Sequence, residues 1–135
     1  MAHHLTDLQI ELQDKPGTVA AAAEALGKAG VNIEGFAGFE VGGKGIGHVL
    51  VEDASKARQA LESSGARVTG EQQVIVLEIE DKPGSLGNIT RKIAQAGVSV
   101  NSVYLATRTR IVIGAKDIER ARTAVGAATA GQARK

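Results

Sequence analysis

Asp14-Lys15-Pro16-Gly17-Thr18-Val19 returns as Asp81-Lys82-Pro83-Gly84-Ser85-Leu86, and Ala29-Gly30-Val31-Asn32-Ile33 returns as Ala96-Gly97-Val98-Ser99-Val100. Both correspondences keep one offset of 67 residues without a gap. Two separated motifs in a single register identify an internal repeat, which decides how many folded units the chain holds. The chain's two prolines, Pro16 and Pro83, occupy equivalent places in it.

Upstream of each motif the apolar residues alternate, Leu8, Ile10 and Leu12 in one copy and Ile75, Leu77 and Ile79 in the other. That period of two predicts a strand with one buried face. Past the Pro-Gly step the period lengthens to a helical one. Val19, Ala22, Ala23, Leu26 and Ala29, or Leu86, Ile89, Ile93 and Ala96, make the expected buried stripe, with Thr18 or Ser85 as cap and Gly30 or Gly97 as stop. A hairpin follows in each copy: Val31–Glu40 with Ile46–Val51 around Gly42, Gly43 and Gly45, then Val98–Ala106 with Arg110–Gly114 around Arg108-Thr109. Second helices are expected over Ser55–Ser64 and from Asp117 to about Ala128, with Ala57, Ala60, Leu61 and Ile118, Ala121, Val125 facing the core. Arg67–Gln73 supplies a fourth strand to the first copy. The matching position in the second is Arg134, at the end of the sequence, so that copy is expected to lack its last strand.

The fold class predicted is α+β, two ferredoxin-like βαββαβ repeats over 1–70 and 71–135, the second without its last strand. Units this small bury little surface, so stability is expected to depend on association of the copies or on a homodimer.

The 135 residues are 43% hydrophobic and 23% charged, ordinary globular usage that excludes wholesale disorder. No apolar run approaches the roughly 18–20 residues of a membrane span, and the N-terminus lacks a signal-peptide pattern. The expectation is a cytoplasmic protein with no membrane association. Zero cysteines exclude disulfides, thiolate nucleophiles and cysteine-bound metals. The net charge of +1 divides unevenly, with 6 basic and 9 acidic residues over 1–67 against 10 and 6 over 68–135. The basic residues of the second half are scattered over several elements without aromatic interleaving, so no nucleic-acid partner is expected.

Asp-Lys-Pro-Gly at a strand-to-helix step suits a turn, because proline fixes φ and glycine permits a tight bend. It also suits a free α-amino acid. Helix-start N–H groups and the positive end of the dipole receive a carboxylate, and the aspartate receives an ammonium. Asn32 adds a donor and an acceptor nearby.

Two copies of strand, Asp-Lys-Pro-Gly, helix, Ala-Gly-Val-(Asn/Ser)-(Ile/Val) and strand resemble tandem ACT domains, small regulatory modules of amino-acid metabolism. The resemblance spans Thr6–Gln73 and Val74–Ala128. It implies a non-catalytic regulatory protein that binds a free amino acid effector at the interface between ACT-like units, with no cofactor and no metal. It also implies side-by-side association, here as a homodimer. The other reading is a trans-acting regulatory or interaction subunit of an enzyme of amino-acid metabolism or of a transcription system. The ligand-binding residues implied are Asp14, Lys15, Pro16, Gly17, Thr18, Asn32 and Ile33 in copy one. In copy two they are Asp81, Lys82, Pro83, Gly84, Ser85, Leu86, Ser99 and Val100, with Asn101 standing in on the same strand face for the amide that Ser99 lacks. Some members of the family carry a histidine where this chain has Leu12 and Ile79, which argues against a serine-type effector.

Gly43-Lys44-Gly45-Ile46-Gly47 fits neither phosphate-loop pattern and lies between strands, so it reads as a flexible hairpin. His48 has no patterned metal partner. An acylphosphatase-like activity would need an arginine just inside the first helix, where this chain is alanine-rich.

Overall fold

The computed structural model describes residues 5–126. The chain separates into two compact units, Thr6–Gln72 and, with Leu5, residues 73–126. In the first, β1 (Thr6–Gln13), α1 (Thr18–Lys28), β2 (Gly35–Val41), β3 (Lys44–Val51), α2 (Ala54–Ser63) and β4 (Arg67–Gln73) follow in order. Its strands lie β4-β1-β3-β2, antiparallel between β1 and β3 and between β3 and β2. The second contains β5 (Ile75–Glu78), α3 (Ser85–Gln95), β6 (Val100–Ala106), β7 (Arg110–Ala115) and α4 (Ile118–Val125), with strands in the order β6-β7-β5. This is the α+β plan expected from the repeat, βαββαβ followed by βαββα. Arg134, where a last strand of the second repeat would begin, lies outside the described residues, as does the C-terminal end of the helix expected to reach Ala128.

The alternation in the sequence becomes one buried face. Leu8, Ile10 and Leu12 of β1 join Val49 and Val51 of β3 beneath Ala22 and Leu26 of α1 and Ala57, Ala60 and Leu61 of α2. The second core is smaller: Ile75, Ile93, Ile111, Ile113, Ala115 and Ala121. Each fully buried Leu, Ile or Val in these sets contributes about 1.5–3 kcal/mol through lost contact with water. Three residues of the expected stripes depart from this picture: Val19 and Leu86, which are 53% and 43% exposed in the first turn of their helices, and Ala23, which is exposed as well.

Helix ends follow backbone chemistry. Gly30 and Gly97, both at φ 77°, stop α1 and α3 as expected. The Gly30 N–H bonds the Gly27 carbonyl and the Val31 N–H bonds that of Leu26, and Gly97 and Val98 repeat the pattern with Ala94 and Ile93. This paired closure satisfies the orphan carbonyls of the last turn. The helix starts differ from expectation. The N-cap residues of α1 and α3 are Gly17 and Gly84, not Thr18 and Ser85, and no side chain caps either helix. The Thr18 hydroxyl turns back instead, donating to the carbonyls of Gln13 and Lys15 at 2.9 and 3.2 Å. In α2 and α4, Asp53 and Asp117 do cap, accepting from the N–H of Lys56 and Arg120.

Candidate ligand site on the first repeat

The Asp14–Gly17 step is a backbone device before it is a site. Gly17 sits at φ 92°, ψ −11° and Gly84 at φ 94°, ψ −14°. In the second loop the Ser85 N–H bonds the Lys82 carbonyl at 3.3 Å, so Pro83 and Gly84 occupy the two central positions of a type II turn. Proline supplies the φ of the first, and only glycine is comfortable at the second. The turn releases the chain into a helix whose first N–H groups have no side-chain cap, beside exposed Asp14 and Lys15.

Across from this loop stands the β2–β3 hairpin, and between them lies a cleft of about 300 Å³. Gln13, Asp14, Lys15, Thr18 and Val19 line one side, and Phe36, Gly38, Phe39, Glu40, Gly45, Ile46 and Gly47 the other, with Leu12 between. The hairpin side was not anticipated. Its glycines were read as a flexible turn, but only Gly42 and Gly43 form the turn, at φ 55° and 81°. Gly45 and Gly47 belong to β3, on the face shared with Leu12 and Ile10, and Gly38 of β2 lies opposite Gly47. The signal was present in the sequence as glycine at every second residue, the period of a strand and not of a loop. Glu40 stiffens the turn by accepting from the Gly43 N–H at 3.1 Å.

Of the other residues implied for copy one, Ile33 lines a neighbouring apolar cavity, while Pro16, Gly17 and Asn32 line neither space. Asn32 lies in an extended segment ahead of β2, which starts at Gly35 and not at Val31, and its amide donates to Glu34 at 2.9 Å. In copy two the Lys82 ammonium pairs with Glu80 at 2.9 Å. The residue matching Glu80 in copy one is Gln13, so Lys15 has no equivalent carboxylate to neutralise it. Asn101 does not simply share a face with Ser99. A β-bulge between Val100 and Ser102 breaks the alternation there, and Asn101 accepts from the Ser102 hydroxyl at 3.2 Å. Asp81, Pro83, Gly84, Ser85 and Leu86 keep the loop shape of copy one.

One polar constellation escaped the sequence reading. On the face of the first sheet opposite its helices, the Asp7 carboxylate is buried at 1% exposure and lies 2.8 Å from His48 Nδ1. The two strands bring together residues 41 apart, which no local pattern announces. Among the described residues no group of three or more His, Asp or Glu is arranged to hold a metal, and no helix is long and apolar enough to cross a membrane.

Residues 6–63 match the ACT domain family, covering the β1–α1 loop, both sides of the cleft and α2. The first repeat is an ACT domain. Its second-repeat counterpart has the same ACT-like βαββα course. In fold the chain is similar to a protein from Bacteroides thetaiotaomicron, with a TM-score of 0.78 at 23% identity over 93% of this chain and 88% of that one. It is also similar to the regulatory subunit of aspartate kinase from Thermus thermophilus, with a TM-score of 0.68 at 20% identity over 93% and 92% of the two chains. The aspartate kinase of Clostridium acetobutylicum, described as an allosteric enzyme, matches 92% of this chain with 32% of its own, at a TM-score of 0.59 and 14% identity. No curated protein matches the chain in sequence.

Proposed function

We propose that this protein is a non-catalytic, cytoplasmic regulatory module that binds a free amino acid, and that the cleft of the first ACT domain is its principal site. The observation that carries this reading is the cleft itself, where Asp14, Lys15 and Thr18 of the Pro-Gly loop face the glycine-bearing hairpin across about 300 Å³. Lys15 and the uncapped helix N–H groups suit a carboxylate, and Asp14 suits an ammonium. Pro16 and Gly17 hold that arrangement, and Ile33 lines the adjoining apolar cavity. The loop of copy two, Asp81 to Leu86 with Ser99, Val100 and Asn101, is the weaker site, because Glu80 already neutralises Lys82. The regulatory subunits that share the fold support the role. So does the match to the ACT domain family.

A second reading, action in trans on a partner enzyme of amino-acid metabolism, is favoured by Phe39 and Val41. These side chains are 56% and 55% exposed on the face of β2 opposite the helices. A pull-down from lysate that loses its partner on Val41→Ser but not on Asp14→Ala would support it.

Isothermal titration with the twenty amino acids tests the first reading. Binding is expected between about 1 mM and 1 μM, or roughly −4 to −8 kcal/mol. Asp14→Ala should weaken it about tenfold or more, the cost of a charge-assisted contact. Asn32→Ala should cost less, since its amide is engaged with Glu34. Absence of binding by all twenty would overturn the reading.

A further inference from the structure

A second space, of about 250 Å³, opens within the first repeat between α1 and the sheet, and every residue that lines it is apolar. Leu12, Val19 and Phe36 belong to its wall and also to that of the polar cleft, so the two are neighbouring compartments around three shared side chains. One holds the charged groups of the Asp14 loop; the other reaches inward to Ala22, Leu26 and Leu61.

The two repeats differ in the residues around these compartments. Along the helix, Ala22 of α1 corresponds by the common offset to Ile89 of α3. Across the sheet, the row Ile10, Gly47, Gly38 of the first repeat corresponds by strand register to Leu77, Ile111, Leu105 of the second. Where the second repeat carries three large aliphatic side chains, buried at Ile111, partly buried at Ile89 and 60% exposed at Leu105, the first has one alanine and two glycines. Neither Gly38 nor Gly47 has a positive φ, so no backbone demand accounts for them. A Cβ at Gly38 would lie 3.2 Å from the Phe36 ring, and one at Gly47 would lie 3.1 Å from Ile10 Cγ1. Gly38 and Gly47, in the wall of the polar cleft, thus leave room for Phe36 and Ile10 over the sheet, and Ala22 keeps the helix wall of the apolar space short.

We propose that the amino acid bound by the first repeat carries a large apolar side chain, of the size of leucine, isoleucine or phenylalanine, seated in this cavity while its charged end occupies the Asp14–Lys15 cleft. This rests on the reading of the cleft as an amino-acid site. The occupant follows from the adjacency of the compartments, which share Leu12, Val19 and Phe36. A zwitterion at the loop has one substituent left to place, and the compartment that shares Leu12, Val19 and Phe36 with the loop cleft offers it only apolar contacts. Polar side chains would lose hydration there without gaining a partner.

The test is titration calorimetry of the full chain with leucine, isoleucine and phenylalanine against alanine, serine, aspartate and lysine. The large apolar set should bind about tenfold or more tighter than alanine, since each buried methylene adds several-fold. Ala22→Ile, which installs the second repeat's residue, should abolish that preference. Ala23→Leu, on an exposed helix position at the rim, should reduce it without touching the core, so a folding defect in the first variant cannot decide the matter. Asp14→Ala should weaken all ligands alike. Equal affinity for leucine and alanine, or binding by polar amino acids alone, would overturn the cavity assignment while leaving the amino-acid site in place. Binding by none of the seven would overturn the assignment, and failure of all twenty the site as well.

Discussion

At the scale of single residues, two glycines and one buried carboxylate determine most of what can be tested. Gly17 and Gly84 hold φ values that an L side chain enters at a cost of about 1–2 kcal/mol. Gly17→Ala and Gly84→Ala should each lower stability by about that amount in chemical denaturation. There is open space around both, so strain and not a clash is the cause. Asp7 sits at 1% exposure against His48, and His48→Ala removes a hydrogen-bonded partner from a carboxylate that water cannot reach. A loss of about 1–3 kcal/mol is expected, measured in the same way. Of these residues the sequence announces the glycines, because a repeated Pro-Gly has a specific turn to make. It is silent on Asp7, whose burial depends on strand pairing. Asn32 is the opposite case: its chemistry suggests ligand contact, and the bond of its amide to Glu34 is one the sequence does not announce.

Elements were legible wherever period and punctuation agreed. β1 was readable from three alternating aliphatic residues, all buried, and the ends of α1 and α3 from Ala-Gly. The helix starts were misread because threonine and serine are good caps in general, while a left-handed glycine immediately before them already redirects the chain. This yields a contrast. Asp53→Ala should destabilise α2 by about 0.5–2 kcal/mol, and Ser85→Ala should cost α3 less, since no side-chain cap is lost there. Melting temperatures of the two variants would order them. The β6–β7 connection offers a change of the other sign. Thr109 holds φ 54°, an uncommon conformation for a β-branched residue, so Thr109→Gly should raise stability by about 1 kcal/mol.

For the whole molecule, the repeat was the most reliable thing in the sequence, and the difference between its copies was the least visible. The 67-residue offset identifies two units of one design. It passes over the substitutions that distinguish the two units around the cleft and its neighbouring cavity, because alanine, glycine and isoleucine all satisfy the same apolar pattern. β5, only four residues long, is an edge strand among the described residues, with its own Val76 and the preceding Val74 buried. An edge of this kind invites pairing. The homodimer that the family resemblance implies should appear as a dimer in analytical ultracentrifugation at micromolar concentration, and a monomer throughout would remove it.

The glutamate that pairs with Lys82, and the glutamine that replaces it in the first repeat, have a consequence for how the proposed module would report. With its principal site in the first repeat alone, an isolated chain saturates along a hyperbola. The Hill coefficient for an isolated chain is expected to be about one, however tightly the amino acid binds. On that reading duplication yields a graded dial instead of a threshold, and any steepness in the response must come from joining chains together.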